Sequence, residues 1–182
     1  TPNNPIYSST TAITLSPYES RLIDVSANIP IQTLPGRYRL ALVVDSANDI
    51  NEPDESNNVF ISTSDVVVAE RRPDFTVPEI SIVETNSTPG GIINVSVTLE
   101  NAGNLAADTS WDLFLSPNAV VSVDDVSVYT SSVSLAPLSS DTAQVQITLP
   151  TALTPGRYWI GAIADTANAV QELDEINNIG VV

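Results

Sequence analysis

Residues 35–58 read PGRYRLALVVDSANDINEPDESNN, and residues 155–178 read PGRYWIGAIADTANAVQELDEINN. The two stretches align without a gap at an offset of 120. Each opens on Pro-Gly-Arg-Tyr, runs through a short apolar segment and closes on a loop dense in Asp, Glu and Asn. The correspondence continues upstream through Pro30 and Pro150, Val25 and Val145, and Pro17 and Pro137. Self-similarity at a fixed offset is the mark of one structural unit present twice.

The stretches around these copies alternate with a period of two. Ile93, Val95, Val97 and Leu99 are separated by Asn94, Ser96, Thr98 and Glu100, the pattern of a strand with one buried face. Ala143, Val145, Ile147 and Leu149 repeat it, and Ile23, Val25, Ala27 and Ile29 predict a matching strand in the first copy. Turn residues punctuate the runs at Asn86–Gly91, Asn101–Asn104, Ser116–Asn118, Pro137 and Thr154–Gly156. No stretch has a helical period of useful length. The expected fold is all-β: tandem immunoglobulin-like β-sandwiches, with second-copy strands near 75–84, 92–100, 107–115, 126–134, 141–149, 157–164 and 177–182. Trp111, in phase with Leu113 and Leu115, is expected between the sheets. Tyr38 and Tyr158 stand where a tyrosine can tie its hydroxyl to a corner of such a fold.

Ala69-Glu70-Arg71-Arg72-Pro73 is polar and closed by proline, as a linker would be. It divides the chain into residues 1–70, the later part of a first module, and residues 71–182, a nearly complete second one. In the alignment the counterparts of residues 73–120 would precede Thr1, so the first module is expected without its N-terminal strands. Val182 aligns with Ser62, so the second is expected to be clipped in its last strand. Thr1-Pro2-Asn3-Asn4-Pro5 reads like the interior of a longer chain.

Composition narrows the chemistry. The 182 residues include 22 Asp and Glu against six basic residues, all arginine, for a formal charge of −16. Lysine, histidine, cysteine and methionine are absent. No Ser-His or Cys-His nucleophile, thiolate or imidazole zinc site, disulfide, Schiff base or Lys-Asn isopeptide bond can form from this set. Only hard oxygen ligands remain, which limits a metal to calcium or magnesium. The charge repels nucleic acid phosphates and anionic headgroups, so neither nucleic acid nor membrane insertion is expected. There is also no apolar run of the ~18 residues needed to span a bilayer as a helix.

Pro73-Asp74-Phe75-Thr76-Val77, the strand ending in Asn101-Ala102-Gly103, and Gly156-Arg157-Tyr158 followed by Asp165, Asn168, Glu172, Asp174-Glu175 and Asn177-Asn178 resemble the CARDB family, the cell-adhesion-related domain of bacterial and archaeal surface and secreted proteins. The first copy carries the same closing signature from Gly36 to Asn58. The resemblance implies a seven-stranded immunoglobulin-like sandwich, an extracellular or cell-surface location within a large multidomain protein, and no catalytic activity. It names no ligand.

The acidic loop has two readings. Asp45, Asn48, Glu52, Asp54, Glu55, Asn57 and Asn58 recur as Asp165, Asn168, Glu172, Asp174, Glu175, Asn177 and Asn178, whereas Asp49 becomes Ala169. Retention of these oxygen-bearing types could serve a calcium site, because that ion takes six to eight oxygens and would relieve carboxylate repulsion. No EF-hand is present, since the loop lacks its glycine and spacing. Alternatively, Asp45, Asn48 and the Asn pair cap backbone donors in a tight connection, with Glu52 and Glu55 solvated or paired to Arg37 and Arg157.

The expected function is a non-catalytic structural or adhesion module of a prokaryotic repeat-containing protein, secreted or at the cell surface. Neighbouring modules or subunits are its expected partners, and strand complementation between subunits could build a fibre. The alternative is an accessory module holding polysaccharide or a surface protein, with Trp111 or Trp159 stacking on sugar. No cofactor is required, and calcium is the one the loop could use. Asn86-Ser87-Thr88 and Asn94-Val95-Ser96 match the N-glycosylation pattern, but Asn94 falls mid-strand.

Overall fold

A computed structural model describes residues 6–9 and 13–182; the opening Thr1–Pro5 lies outside the described residues. The chain divides into two compact units, Thr1–Glu70 and Arg71–Val182. All nine elements among the described residues are strands, and every pairing is antiparallel.

The second unit holds the seven expected strands: β3 (Phe75–Ile82), β4 (Ile92–Asn101), β5 (Ala107–Ser116), β6 (Val126–Leu135), β7 (Ser139–Thr148), β8 (Trp159–Ala164) and β9 (Ile179–Val181). They form one sheet in the order β3-β4-β7 and another in the order β6-β5-β8-β9. Alternation decides which face turns inward. On β4, Ile93, Val95, Val97 and Leu99 are buried, while the outer residues pair with β7: Gln146 donates to Asn94 at 3.2 Å and Gln144 to Ser96 at 2.8 Å. Phe75, Leu113, Leu115, Ile147 and Ile160 fill the core around Trp111, which is 2% exposed and packs 5.3 Å from the Tyr129 ring. The expected inter-sheet tryptophan is therefore present.

Proline and glycine mark where the strands deviate. Pro78 cannot donate to a ladder, and β3 is an edge strand whose register shifts between Thr76 and Glu79. Gly180 on β9 lies against Val77, where an added Cβ would fall 2.7 Å from the Val77 carbonyl oxygen. Only a residue without a side chain lets the last strand approach the first so closely.

The Asn-Ala-Gly stretch acquires a structural reason. Asn101 is 0% exposed, and its amide makes four hydrogen bonds. Its oxygen accepts from Asp74 N at 3.1 Å and Gly103 N at 3.0 Å, and its nitrogen donates to Leu105 O at 2.8 Å and Leu135 O at 3.3 Å. That is the full capacity of a carboxamide, so its burial leaves nothing unsatisfied.

In the first unit β1 (Gly36–Val43) pairs with β2 (Val59–Val68), with a register shift between Arg39 and Ala41. Apolar residues of this ribbon, among them Leu42 and Phe60, are exposed. The strand expected from Ile23 to Ile29 is not formed, and Leu22 is 87% exposed. The repeat explains why. Residues 19–28 correspond to β7, whose ladder partner is β4, and no described strand of the first unit corresponds to β4. Alternation supplies a face to bury, but a strand also needs a neighbour for its backbone groups.

The tyrosine corners form in both units. Tyr38 donates its hydroxyl to Leu34 O at 2.8 Å, and Tyr158 to Thr154 O at 3.0 Å. The turns upstream also match: Thr33 N bonds Pro30 O at 2.9 Å, and Leu153 N bonds Pro150 O at 3.2 Å.

Candidate functional site: the acidic ribbon

The two acidic loops fold alike. Asp45 and Asp165 have φ of 45° and 46°, and Asn48 and Asn168 have φ of 55° and 48°. This left-handed region disfavours most side chains, and Asp and Asn tolerate it best after glycine. Asn48 N bonds Asp45 O at 2.9 Å, and Asn168 N bonds Asp165 O at 2.7 Å. The Asp45 carboxylate then accepts from Asp49 N at 2.9 Å and Ile50 N at 3.0 Å, and that of Asp165 from Ala169 N at 3.1 Å and Val170 N at 2.9 Å. The first of these positions therefore needs only its backbone N–H, which is why Asp49 can be replaced by Ala169.

A second turn follows. Glu52 N donates to Glu55 Oε1 and Glu172 N to Glu175 Oε1, each at 2.8 Å. Asp54 accepts from Ser56 N at 2.9 Å and Asp174 from Ile176 N at 3.0 Å. The capping role expected of Asp45 and Asp165 is thus seen, and Asp54, Glu55, Asp174 and Glu175, which were not expected to cap, do so as well; Asn177 and Asn178, expected to cap, instead donate through their amide nitrogens. The arginines lie elsewhere. Arg37 and Arg39 approach Asp65 at 3.7 and 3.3 Å, and Arg157 stacks 5.2 Å from the Trp159 ring centre, instead of pairing with the ribbon glutamates. Trp111 is sealed in the core, so it is not available for sugar stacking.

In the second unit the ribbon is also tied to the start of the sandwich. Glu172 is 2% exposed; its Oε2 accepts a hydrogen bond from Phe75 N, and its Oε1 accepts from Asn178 Nδ2 at 2.7 Å. Asn177 Nδ2 donates to Asp74 Oδ1 at 2.9 Å, Leu173 N to Pro73 O at 3.0 Å, and Arg72 Nη1 to Glu172 O at 3.3 Å. Asp74 and the Phe75 amide are members of this network that the reading of the loop alone missed. Their signal was the Pro-Asp-Phe opening, read as a family resemblance without a partner.

Asp165, Glu172 and Glu175 each place a carboxylate oxygen within 4.8 Å of the others. A cavity of about 200 Å³ beside them is lined by Asp165, Asn168, Glu175 and Asn178 together with Ile163, Ala164, Ile176 and Ile179. Asn178 is 8% exposed, and its Oδ1 accepts no hydrogen bond. Burial raises the pKa of Glu172 above the ordinary carboxylate range, against the hydrogen bonds from Phe75 and Asn178, and the charges of Asp165 and Glu175 push the same way. Asn177 and Asp174 point their bonding to Asp74 and Ile176 rather than to this group. The counterparts Asp45, Glu52 and Asn58 keep their turns but are only half-buried.

An all-β module of two packed sheets, closed by an acidic ribbon, defines the class. A family model for CARDB matches residues 3–62 and 72–181, and the chain belongs to the CARDB family, a non-enzymatic group of adhesion-related domains. Among solved structures, a CARDB domain from Pyrococcus furiosus in complex with di-metal ions is 23% identical, with a TM-score of 0.49, covering 63% of this chain and 93% of that one. A solution structure of the same domain is 25% identical, with a TM-score of 0.48, covering 62% and 93%. A domain of a candidate cell surface protein from Methanosarcina acetivorans is 23% identical, with a TM-score of 0.45, covering 61% and 89%. No curated protein matches.

Proposed function

We propose that this chain is a structural and adhesive segment of a prokaryotic repeat protein, secreted or held at the cell surface, in which each module is closed by the same acid-capped ribbon. The observation that carries the reading is the duplication itself: two copies of one closing ribbon with the same positive-φ Asp and Asn and the same turn bonds. A chain that repeats a closure, and whose carboxylates are engaged with its own backbone, invests its polar groups in architecture. The absence of lysine, histidine and cysteine from the sequence points away from nucleophilic chemistry.

Its partners are neighbouring modules or subunits. Strand complementation between subunits into a fibre is the finer part of this reading, and the apolar Leu42 and Phe60 exposed on the described β1-β2 ribbon support it. Calcium is the cofactor this reading admits, as a stabiliser of the ribbon. Protease accessibility on intact cells tests the location, and light scattering across a concentration series tests self-association. A protein shielded inside cells sinks the surface assignment. A chain that stays monomeric at high concentration sinks the fibre.

A further inference from the structure

We propose that β6 is a docking edge that pairs antiparallel with β6 of a second copy of this chain, joining their two sheets across a two-fold axis. The inference does not rest on the fibre reading: no strand is exchanged, and a contact of this symmetry closes at two copies. It starts from the edges of the second unit. A sheet edge offers unpaired N–H and C=O groups to any other strand, and proteins guard it with charge, proline, bulges or brevity. Every other edge of this unit is guarded. β3 carries Pro78, Glu79 and a register shift, β7 carries the exposed Asp141, and β9 spans only Ile179–Val181. β6 pairs with β5 alone among the described strands and reads VSVYTSSVSL, without charge or proline. Its register shift lies opposite Leu113 and Phe114, which leaves Tyr129–Leu135 as regular strand. The corresponding residues of the first copy, 6–15, read IYSSTTAITL and are uncharged too. On a chain of formal charge −16, an edge kept neutral in both copies is one that a like-charged copy can approach.

The faces of β6 suit this pairing. Tyr129, Val133 and Leu135 pack into the core, while Thr130, Ser132 and Ser134 lie exposed on the outer face. Hydroxyl side chains that meet across an antiparallel ladder can hydrogen-bond to one another. The nearest outward charges are Asp108 and Asp112, one strand back on β5 and opposite Ser134 and Thr130. Asp112 is also engaged, accepting from the Thr130 hydroxyl. In the joined sheet the two β5 strands would stand three ladder steps apart, about 14 Å. That exceeds the ~8 Å Debye length at physiological ionic strength, so the repulsion between them is screened there and returns in dilute buffer.

The test is sedimentation velocity of the full chain from about 1 to about 500 μM, in ~0.02 and ~0.3 M NaCl. A reversible dimer is expected, with a dissociation constant on the order of 10–100 μM that tightens at least ~5-fold in the higher salt. Ser132→Asp puts a charge on the edge and should weaken the dimer at least ~10-fold, with the melting temperature of the monomer held within ~3 °C. Gln144→Glu adds the same charge at an exposed position of β7 and should leave the dimer unchanged. The chain has no cysteine, so single cysteines read the geometry directly. Ser132→Cys or Ser134→Cys should yield a covalent dimer under mild oxidant, and Gln144→Cys should not. A monomer at every concentration overturns the proposal, as does equal weakening by Ser132→Asp and Gln144→Glu, or cross-linking through Gln144→Cys alone. A polymer that Ser132→Asp leaves intact also overturns the β6 contact while supporting the fibre, so the two readings fail separately.

Discussion

The side chain of Glu172 caps the backbone N–H of Phe75, 97 residues earlier in the chain. The second unit thereby fastens its first strand with a residue from its final loop. The same carboxylate holds Asn178, so one buried group serves β3, the ribbon and the approach to β9. Glu172→Ala would leave the Phe75 amide without its acceptor and remove one partner of the Asn178 amide, at a cost of about 2–4 kcal/mol. Urea unfolding followed by Trp fluorescence measures it. A change below ~0.5 kcal/mol would show that the tie contributes nothing.

Trp111 and Trp159 should respond very differently to truncation. Trp111→Ala empties the centre of the sandwich and is expected to destabilise it by about 3–5 kcal/mol. Trp159 lies half-buried under Arg157, and its replacement by alanine should cost less than about 1.5 kcal/mol. Thermal melts of the two variants under one buffer decide the order, and equal losses would contradict the packing.

The positive φ of Asn168 predicts an unusual substitution ranking. Asn168→Gly should be nearly neutral, whereas Asn168→Val forces a β-branched side chain into the left-handed region, at about 1–2 kcal/mol. The ranking inverts the ordinary strand preference for valine over glycine. Equal stability of the two variants would mean that the turn relaxes to another conformation.

Two glutamates should titrate in opposite directions. Glu172 is held above the ordinary carboxylate range by burial, so between the ordinary value and its folded value the native chain binds more protons than the unfolded one. Its contribution to stability is fully present below that window and declines as pH rises through it. Glu84 lies below the ordinary range because Asn94 donates to it through both backbone and side chain at 2.7 Å. Its contribution is present above the ordinary value and is lost as pH falls through the folded one. Carboxyl carbon NMR across the acid range reads both midpoints, and a Glu172 midpoint below that of Glu84 would refute the assignment.

Local patterns carried much of this architecture in the sequence. The alternation from Ile93 to Leu99 appears as β4 with its apolar side buried, and the 120-residue offset reappears as two ribbons with matching φ and matching turn bonds. The same alternation misled at Ile23–Ile29, because pairing depends on a neighbour that no local pattern reports. Arginine partners were equally illegible: Arg37 and Arg39 meet Asp65 across the β1-β2 ladder, a contact set by register rather than by proximity in the loop. Within the site, the oxygen-rich residue types were readable. Their division was not, since Asn178 turns to Glu172 within the loop whereas Asn177 turns to Asp74, 103 residues away, through a contact made only when the sandwich closes.

The Glu172–Phe75 tie also bears on how the module is made. During synthesis Phe75 emerges long before its acceptor exists, so the opening strand waits with an unclaimed amide until almost the whole module has left the ribosome. A topology that joins its two extremities has high contact order, and such β folds assemble in milliseconds to seconds rather than microseconds. In a protein built by repeating this unit, each copy therefore completes itself only when its own last turn arrives.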